Sequence, residues 1–259
     1  MHLFLDKNLA ANYQSPSQVA RVLTESWLQQ NIYCPSCGNE AIESFQNNQP
    51  VADFFCSQCH EEYELKSKQG TSIGNKVADG AYHTMLERIA AKNNPSFFFL
   101  CYRKTDLSVQ HLIVIPKHFF TPNIIMPRAK GLPARPNYIM CSMDISQLPT
   151  SGKISLVTNG NIVAKDTVIE QWQQHLFLRQ ITAKQKGWLL AIMQCVDKLP
   201  NPNFTLKDIY AYAPILAKQF PSNQHIHAKI RQQLQILRDK GVIEFLGNGK
   251  YRKINHAFI

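Results

Sequence analysis

The stretch from Cys34 to Lys68 carries CPSC (Cys34 to Cys37), PVADFFCSQC (Pro50 to Cys59) and EEYELKSK (Glu61 to Lys68). Two CxxC pairs, with a hairpin-sized gap between Cys37 and Cys56, have the spacing of a ribbon-type zinc site, because two short knuckles bring four thiolates to one tetrahedral ion. Cys34, Cys37, Cys56 and Cys59 are therefore expected to ligate zinc. The remaining three of the seven cysteines, Cys101, Cys141 and Cys195, lie in apolar runs and read as small core residues. Metal ligation in a reducing compartment suits this usage better than disulfides. The N-terminal MHLFLDKNLAAN lacks a basic-then-apolar export signal, and no run is long and apolar enough to span a bilayer. A cytoplasmic protein without a membrane partner is expected.

A second pattern overlaps the first. Residues 50–56 and 62–68 read as short strands joined by the turn that carries Cys59 and His60. A period of two places Glu64 and Lys66 on one face and Leu65 on the other, and lets Asp53 on the partner strand face Glu64. Asp53 with Glu64-Leu65-Lys66 reproduces the PD-(D/E)XK pattern of Mg-dependent nucleases, with Val51-Ala52 standing where that pattern has Pro. Two carboxylates and the strand carbonyl of Leu65 make an all-oxygen site suited to Mg. Lys66 beside it would orient and help deprotonate an attacking water, so Asp53, Glu64 and Lys66 form the expected catalytic set. The plainer reading makes Glu64 and Lys66 a surface ion pair and Asp53 a turn acid.

The surrounding elements fit a nuclease core. Residues 15–31 read as a helix with an apolar stripe of Val19, Val22, Leu23, Trp27 and Leu28. Arg21 and Glu25 share its polar side, where an intrahelical pair is one reading and a metal-side acid the other for Glu25. After a polar loop at 67–80 come a helix at 78–92 and strands at 97–102 and 111–115, which completes an αβββαβ order. Residues 121–137 hold too many prolines for a regular element, and carry Arg128, Lys130 and Arg135. They read as a surface connector or as a DNA-facing loop, with Tyr138 either against a base or in the core. Strand-like pieces at 154–157 and 162–164 and a helix with Trp172 and Leu176 follow, without a catalytic constellation. His118, His175 and His256 read as structural or exposed.

A second domain is expected from about Thr182, giving boundaries at 1–182 and 183–259. Helices at 184–199, from 206, and at 222–240, then strands at 242–246 and 251–254 around GNGK, have the order of a winged helix. From Ala183 onward there are twelve Lys and Arg against four acids, so +8 of the chain's +10 falls there. Such a field points to a polyanion and weakens the rival reading of a protein-interaction module. On the third helix Ile226, Ile230, Leu234 and Leu237 form the buried arc, and the opposite arc carries Gln224, His225, Ala228, Arg231, Gln232 and Gln235. In a major groove Arg reads guanine, Gln reads adenine, and a small Ala admits a methyl group. Ser222 and Asn223 at the helix start either cap it or bind phosphate. Lys250, Arg252 and Lys253 on the wing would touch backbone phosphates.

These residues also carry a resemblance. PVADFFC, EEYELKSK, DGAYHTM (Asp79 to Met85), NNPSFFFL (Asn93 to Leu100), KIRQQLQILRDK (Lys229 to Lys240) and GKYRK (Gly249 to Lys253) are similar to the DpnI family of restriction endonucleases. The resemblance spans nearly the whole chain. It implies a nuclease domain with an inserted zinc site, followed by a winged-helix domain, both binding GATC with methylated adenine. The expected function is that of a monomeric, Mg-dependent type II endonuclease on methylated double-stranded DNA. A repair-type nuclease of the same core and a non-catalytic zinc-containing DNA-binding regulator are the alternatives. Family members carry Trp at the place of Tyr138, so methyl reading by Tyr138 would use a different ring.

Overall fold

The computed structural model describes residues 1–45, 52–91, 94–129, 135 and 138–254. Pro50 and Val51 of the acidic pattern, Asn93, Lys130 and His256 lie outside them. The chain divides into two compact units, one of Met1–Ser146 with Lys153–Gln173, the other of Gln147–Gly152 with Gln174–Ile259.

In the first unit α1 (Pro16–Asn31) precedes β1 (Glu43–Ser44), β2 (Phe54–Phe55), β3 (Glu62–Gln69), β4 (Lys76–Ala81), α2 (Tyr82–Ala90), β5 (Ser96–Tyr102) and β6 (Val109–Ile115). Then come β7 (Ile125–Pro127), β8 (Met140–Asp144), β9 (Ile154–Thr158), β10 (Asn161–Ile162) and α3 (Lys165–Gln174). The main sheet has the order β1-β2-β3-β5-β6-β9-β10, and β3 with β5 is its parallel pair. A parallel pair needs a crossover, which the segment containing α2 supplies. Every residue of β5 is buried, as a central strand covered on both faces requires. On one side α1 is tied to β3 by the Thr24 hydroxyl, 3.0 Å from that of Ser67. Elsewhere the buried Trp172 of α3 lies near the rings of Tyr63 and His118.

Two departures from the sequence reading share one cause, which is pairing with residues distant in the chain. Lys76–Ala81, expected as loop and first helical turn, is β4, because β8 opposite it supplies the ladder; α2 begins only at Tyr82. The proline-rich stretch contains β7, whose Pro127 is tolerated because β7 is the edge of the sheet β4-β8-β7. A separate departure is that, among the described residues of the strand expected over 50–56, the regular pairs are at Phe54 and Phe55, opposite Tyr63 and Glu62.

The second unit contains α4 (Ala183–Lys198), β11 (Asn203–Thr205), α5 (Leu206–Tyr210), α6 (Ala213–Gln219), α7 (Ile226–Asp239), β12 (Ile243–Gly247) and β13 (Lys250–Lys253). Its sheet runs β11-β13-β12, which makes three helices and a wing. The expected second helix is broken in two, and Pro214 sits in the first turn of α6, where its missing N–H costs nothing. Thr205 and Asp208 close a capping box on α5. The third helix starts at Ile226 rather than Ser222, and it buries Gln233 together with Ile230, Leu234 and Leu237.

Phe98 is fully buried, 4.9 Å from the Tyr63 ring and between Leu65 and Val114 in the ladder. Phe98→Ala should destabilise the first unit by about 3 to 5 kcal/mol, read from denaturant unfolding. A loss under about 1 kcal/mol would show that the sheet closes over the vacated volume.

Candidate active site, metal centre and nucleic-acid interface

The four thiols meet. Sγ of Cys34 lies 3.5 Å from that of Cys59, and Sγ of Cys37 lies 3.6 Å from that of Cys56. Thiolates held about 2.3 Å from a tetrahedral zinc stand about 3.8 Å from each other, so the donor set and its spacing fit that ion. Among the described residues these four are the one group of three or more His, Cys, Asp or Glu whose ligand atoms lie within 4.8 Å of one another. Each knuckle turns on a left-handed residue after its second cysteine, Gly38 at φ +79° and His60 at φ +59°. The Gly38 and His60 amides return to the carbonyls of Cys34 and Cys56 at 2.8 and 2.9 Å. A Cβ on Gly38 would also meet Ile169 Cδ1 at 2.9 Å. Burial pushes the Cys34 thiol up. Burial acts the same way on Cys56, but the amides of Cys59 and Gln58 outweigh it and bring that thiol down to about 7.

Continuing the register of β2 against β3 places Asp53 opposite Glu64, on one face. There the regular ladder ends, and the Asp53 carboxylate accepts the Leu65 N–H at 2.7 Å. Glu64 is buried and doubly paired. Its Oε1 lies 2.6 Å from Lys66 Nζ, and its Oε2 lies 2.8 Å from Arg88 Nη1 on α2. The Arg88 contact is a charge pair without hydrogen-bond geometry, so Oε2 remains a buried acceptor with no hydrogen bond. Lys66 has a second anion, Asp79 Oδ1 of β4, at 2.8 Å. Burial lowers the Lys66 pKa, but Glu64 and Asp79 outweigh it and hold the ammonium above its ordinary value. Glu64 and Lys66 thus form part of a buried network rather than a surface pair. The carboxylates of Asp53 and Glu64 are hard oxygen donors of the kind a hard divalent cation takes. Glu25 pairs with Arg21 at 2.8 Å, and burial raises its pKa against that pairing. Both charges lie close enough to Asp53 to interact with it.

Asp79 and Arg88 were not singled out from the sequence as site residues. Asp79 stands in DGAYHTM, a run quoted above for its resemblance, and only the pairing of β4 shows where that acid sits. Met126 of β7, Arg128 just after it, and Tyr138 and Ile139 just before β8 are exposed. Tyr138 is on the surface and not in the core.

In the second unit His225, Ala228, Arg231, Gln232, Lys250 and Arg252 are exposed, as are Gln224 and Gln235. Ser222 and Asn223 precede α7 instead of starting it; the Asn223 side chain accepts the His225 N–H at 2.8 Å, and His225 is the residue before the first turn. Arg231 donates to the Tyr210 hydroxyl at 2.6 Å, and the Tyr210 ring stacks on His227 at 4.1 Å. Arg252 donates to Asn203 Oδ1 at 3.3 Å. No described helix is long and apolar enough to cross a membrane.

Two family models match the chain. That of the Dam-replacing family, DpnI, covers residues 1–181, and that of the Dam-replacing HTH domain covers residues 184–253.

Cys56 is three residues from Asp53, so loss of its thiol should loosen the strand that presents the acid. Cys56→Ala should leave the chain with less than one bound zinc by atomic absorption and lower its thermal midpoint, since metal binding and folding are linked. A soluble variant with an unchanged midpoint and no zinc would rule out a structural role for the cluster.

Proposed function

The chain belongs to the DpnI, or Dam-replacing, family, and on that premise we propose that it is a Mg-dependent type II restriction endonuclease with a PD-(D/E)XK core. Its substrate is double-stranded DNA at GATC methylated on adenine, and both domains, 1–182 and 183–259, read the methylated site. The observation that carries this reading is Asp53 fixed by the Leu65 N–H beside the buried Glu64, with Lys66 at 2.6 Å from that carboxylate. Asp53, Glu64 and the Leu65 carbonyl would hold Mg, which supplies a Lewis acid for the scissile phosphate and a more acidic bound water.

The chain's own groups do the rest. Asp53 is kept in place by a backbone amide, so its position does not depend on a flexible side-chain partner. Lys66 sets an ammonium beside the carboxylates, where it orients the attacking water and offsets phosphate charge. The zinc cluster takes no part in the chemistry, because four thiolates leave no open position. On α7, Arg231, Gln232 and Ala228 face the major groove and His225 its approach, while Ser222 and Asn223, and Lys250 and Arg252 of the wing, contact phosphates. Tyr138, exposed with its amide bonded to the Arg135 carbonyl, lies against the methylated base from the first domain.

Digestion of adenine-methylated and unmethylated plasmid, with and without Mg, tests the whole reading. Cutting should require both methylation and Mg. Asp53→Ala and Glu64→Ala should each abolish cleavage yet keep methylated-site binding, since removing a carboxylate near phosphate also relieves repulsion. More than trace cutting by Asp53→Ala would place the metal elsewhere. Arg231→Ala should cost roughly 1 to 3 kcal/mol of discrimination between GATC and a mismatched site if it reads guanine. Equal weakening on every sequence, with a shallower salt dependence, would make it a phosphate contact instead.

A further inference from the structure

The network around Lys66 contains a carboxylate that the proposed reaction leaves without a task. Lys66, Glu64, Asp79 and Arg88 come from β3, β4 and α2, and their side chains are only 18, 12, 9 and 22% exposed. Two cations balance two anions, so the quartet is neutral as it stands. Both oxygens of Glu64 face a cation, Lys66 on one and Arg88 on the other. A divalent ion held by Asp53 and Glu64 therefore competes with Lys66 for the same carboxylate, and repels the ammonium once there. Leaving that ammonium buried without a partner would carry a large penalty. Among the described residues, Asp79 is the one other carboxylate at ion-pair distance from Lys66.

The geometry of Asp79 suits it to take over. Its Oδ1 already accepts from Lys66 Nζ at 2.8 Å and from the Gly80 N–H at 2.7 Å, which fixes the carboxylate on its own backbone. Its Oδ2 is buried with no hydrogen-bond partner, and so remains available as an acceptor for an ammonium withdrawn from Glu64. The backbone there is irregular, since the register of β4 against β8 shifts between Asp79 and Ala81. We propose that Asp79 is the positioning residue for Lys66: it retains the ammonium at the site when Glu64 is given up to a divalent cation. The inference rests on the metal-dependent reading of Asp53 and Glu64 above.

Mn²⁺ titrated by calorimetry into the zinc-loaded full-length chain, without DNA, provides the test. Asp79→Asn keeps the shape and the acceptor for Gly80 but removes the charge, so Lys66 has only Glu64 to pair with. Mn²⁺ affinity should fall about tenfold or more. In a Lys66→Met background there is no ammonium to strand, and adding Asp79→Asn should change Mn²⁺ affinity by less than about twofold, as independent sites do. An equal loss in both backgrounds would mean that Asp79 acts on the ion directly through its charge, and would overturn the proposal. So would unchanged affinity in Asp79→Asn alone. If that variant does not fold, comparison of the double variant with Lys66→Met decides: a loss above about twofold on adding Asp79→Asn there overturns the proposal, and a smaller change supports it. Absence of Mn²⁺ binding by the unsubstituted chain would instead defeat the metal site itself, and the positioning role with it.

Discussion

A hydrogen bond of 2.7 Å from the Leu65 N–H to the Asp53 carboxylate stands where the ladder between β2 and β3 gives out. A strand amide buried in a sheet must be paired, and here the side chain of the departing strand does what its backbone no longer can. One bond thereby satisfies β3, ends β2 and fixes an acid opposite Glu64. The rest of the first unit serves to hold these two strands in that relation. The thiol cluster closes the hairpin on one side, and the parallel pairing of β3 with the fully buried β5 anchors it on the other.

Around that bond the charge is arranged with little slack. Glu64, Lys66, Asp79 and Arg88 neutralise one another away from solvent, where each would be costly alone. A site built this way is balanced in charge as it stands.

The second unit depends on a different constraint. Ile230, Gln233, Leu234 and Leu237 turn one face of α7 inward, so the arc of Ala228, Arg231, Gln232 and Gln235 is left exposed. Arg231 is held by Tyr210, itself stacked on His227, so the guanidinium is not left to sample many directions. A side chain whose freedom is already spent loses less on binding.

Much of this was legible in the residues alone. Spacing located the four thiols, because a CxxC knuckle is a local structure whose geometry follows from adjacent residues. Alternation placed Glu64 and Lys66 on one face, since the strand period is a property of the backbone itself. The buried arc of α7 followed from helical periodicity in the same way, except that Gln233 joined it and Ile226, at the first position of the helix, is only half-buried. What sequence could not supply were the elements made by distant partners. β4, β7 and β8 are short, polar or proline-bearing, and each exists only because another strand lies beside it. Asp79 and Arg88 entered the site for the same reason: neither carries a local signal, and their place beside Lys66 and Glu64 is decided by how β4 and α2 pack. The start of α7 also moved, from Ser222 to Ile226, because a side-chain bond from Asn223 to the His225 amide competes with the helix there. Local chemistry thus determined which residues can act, and only long-range pairing decided which of them meet.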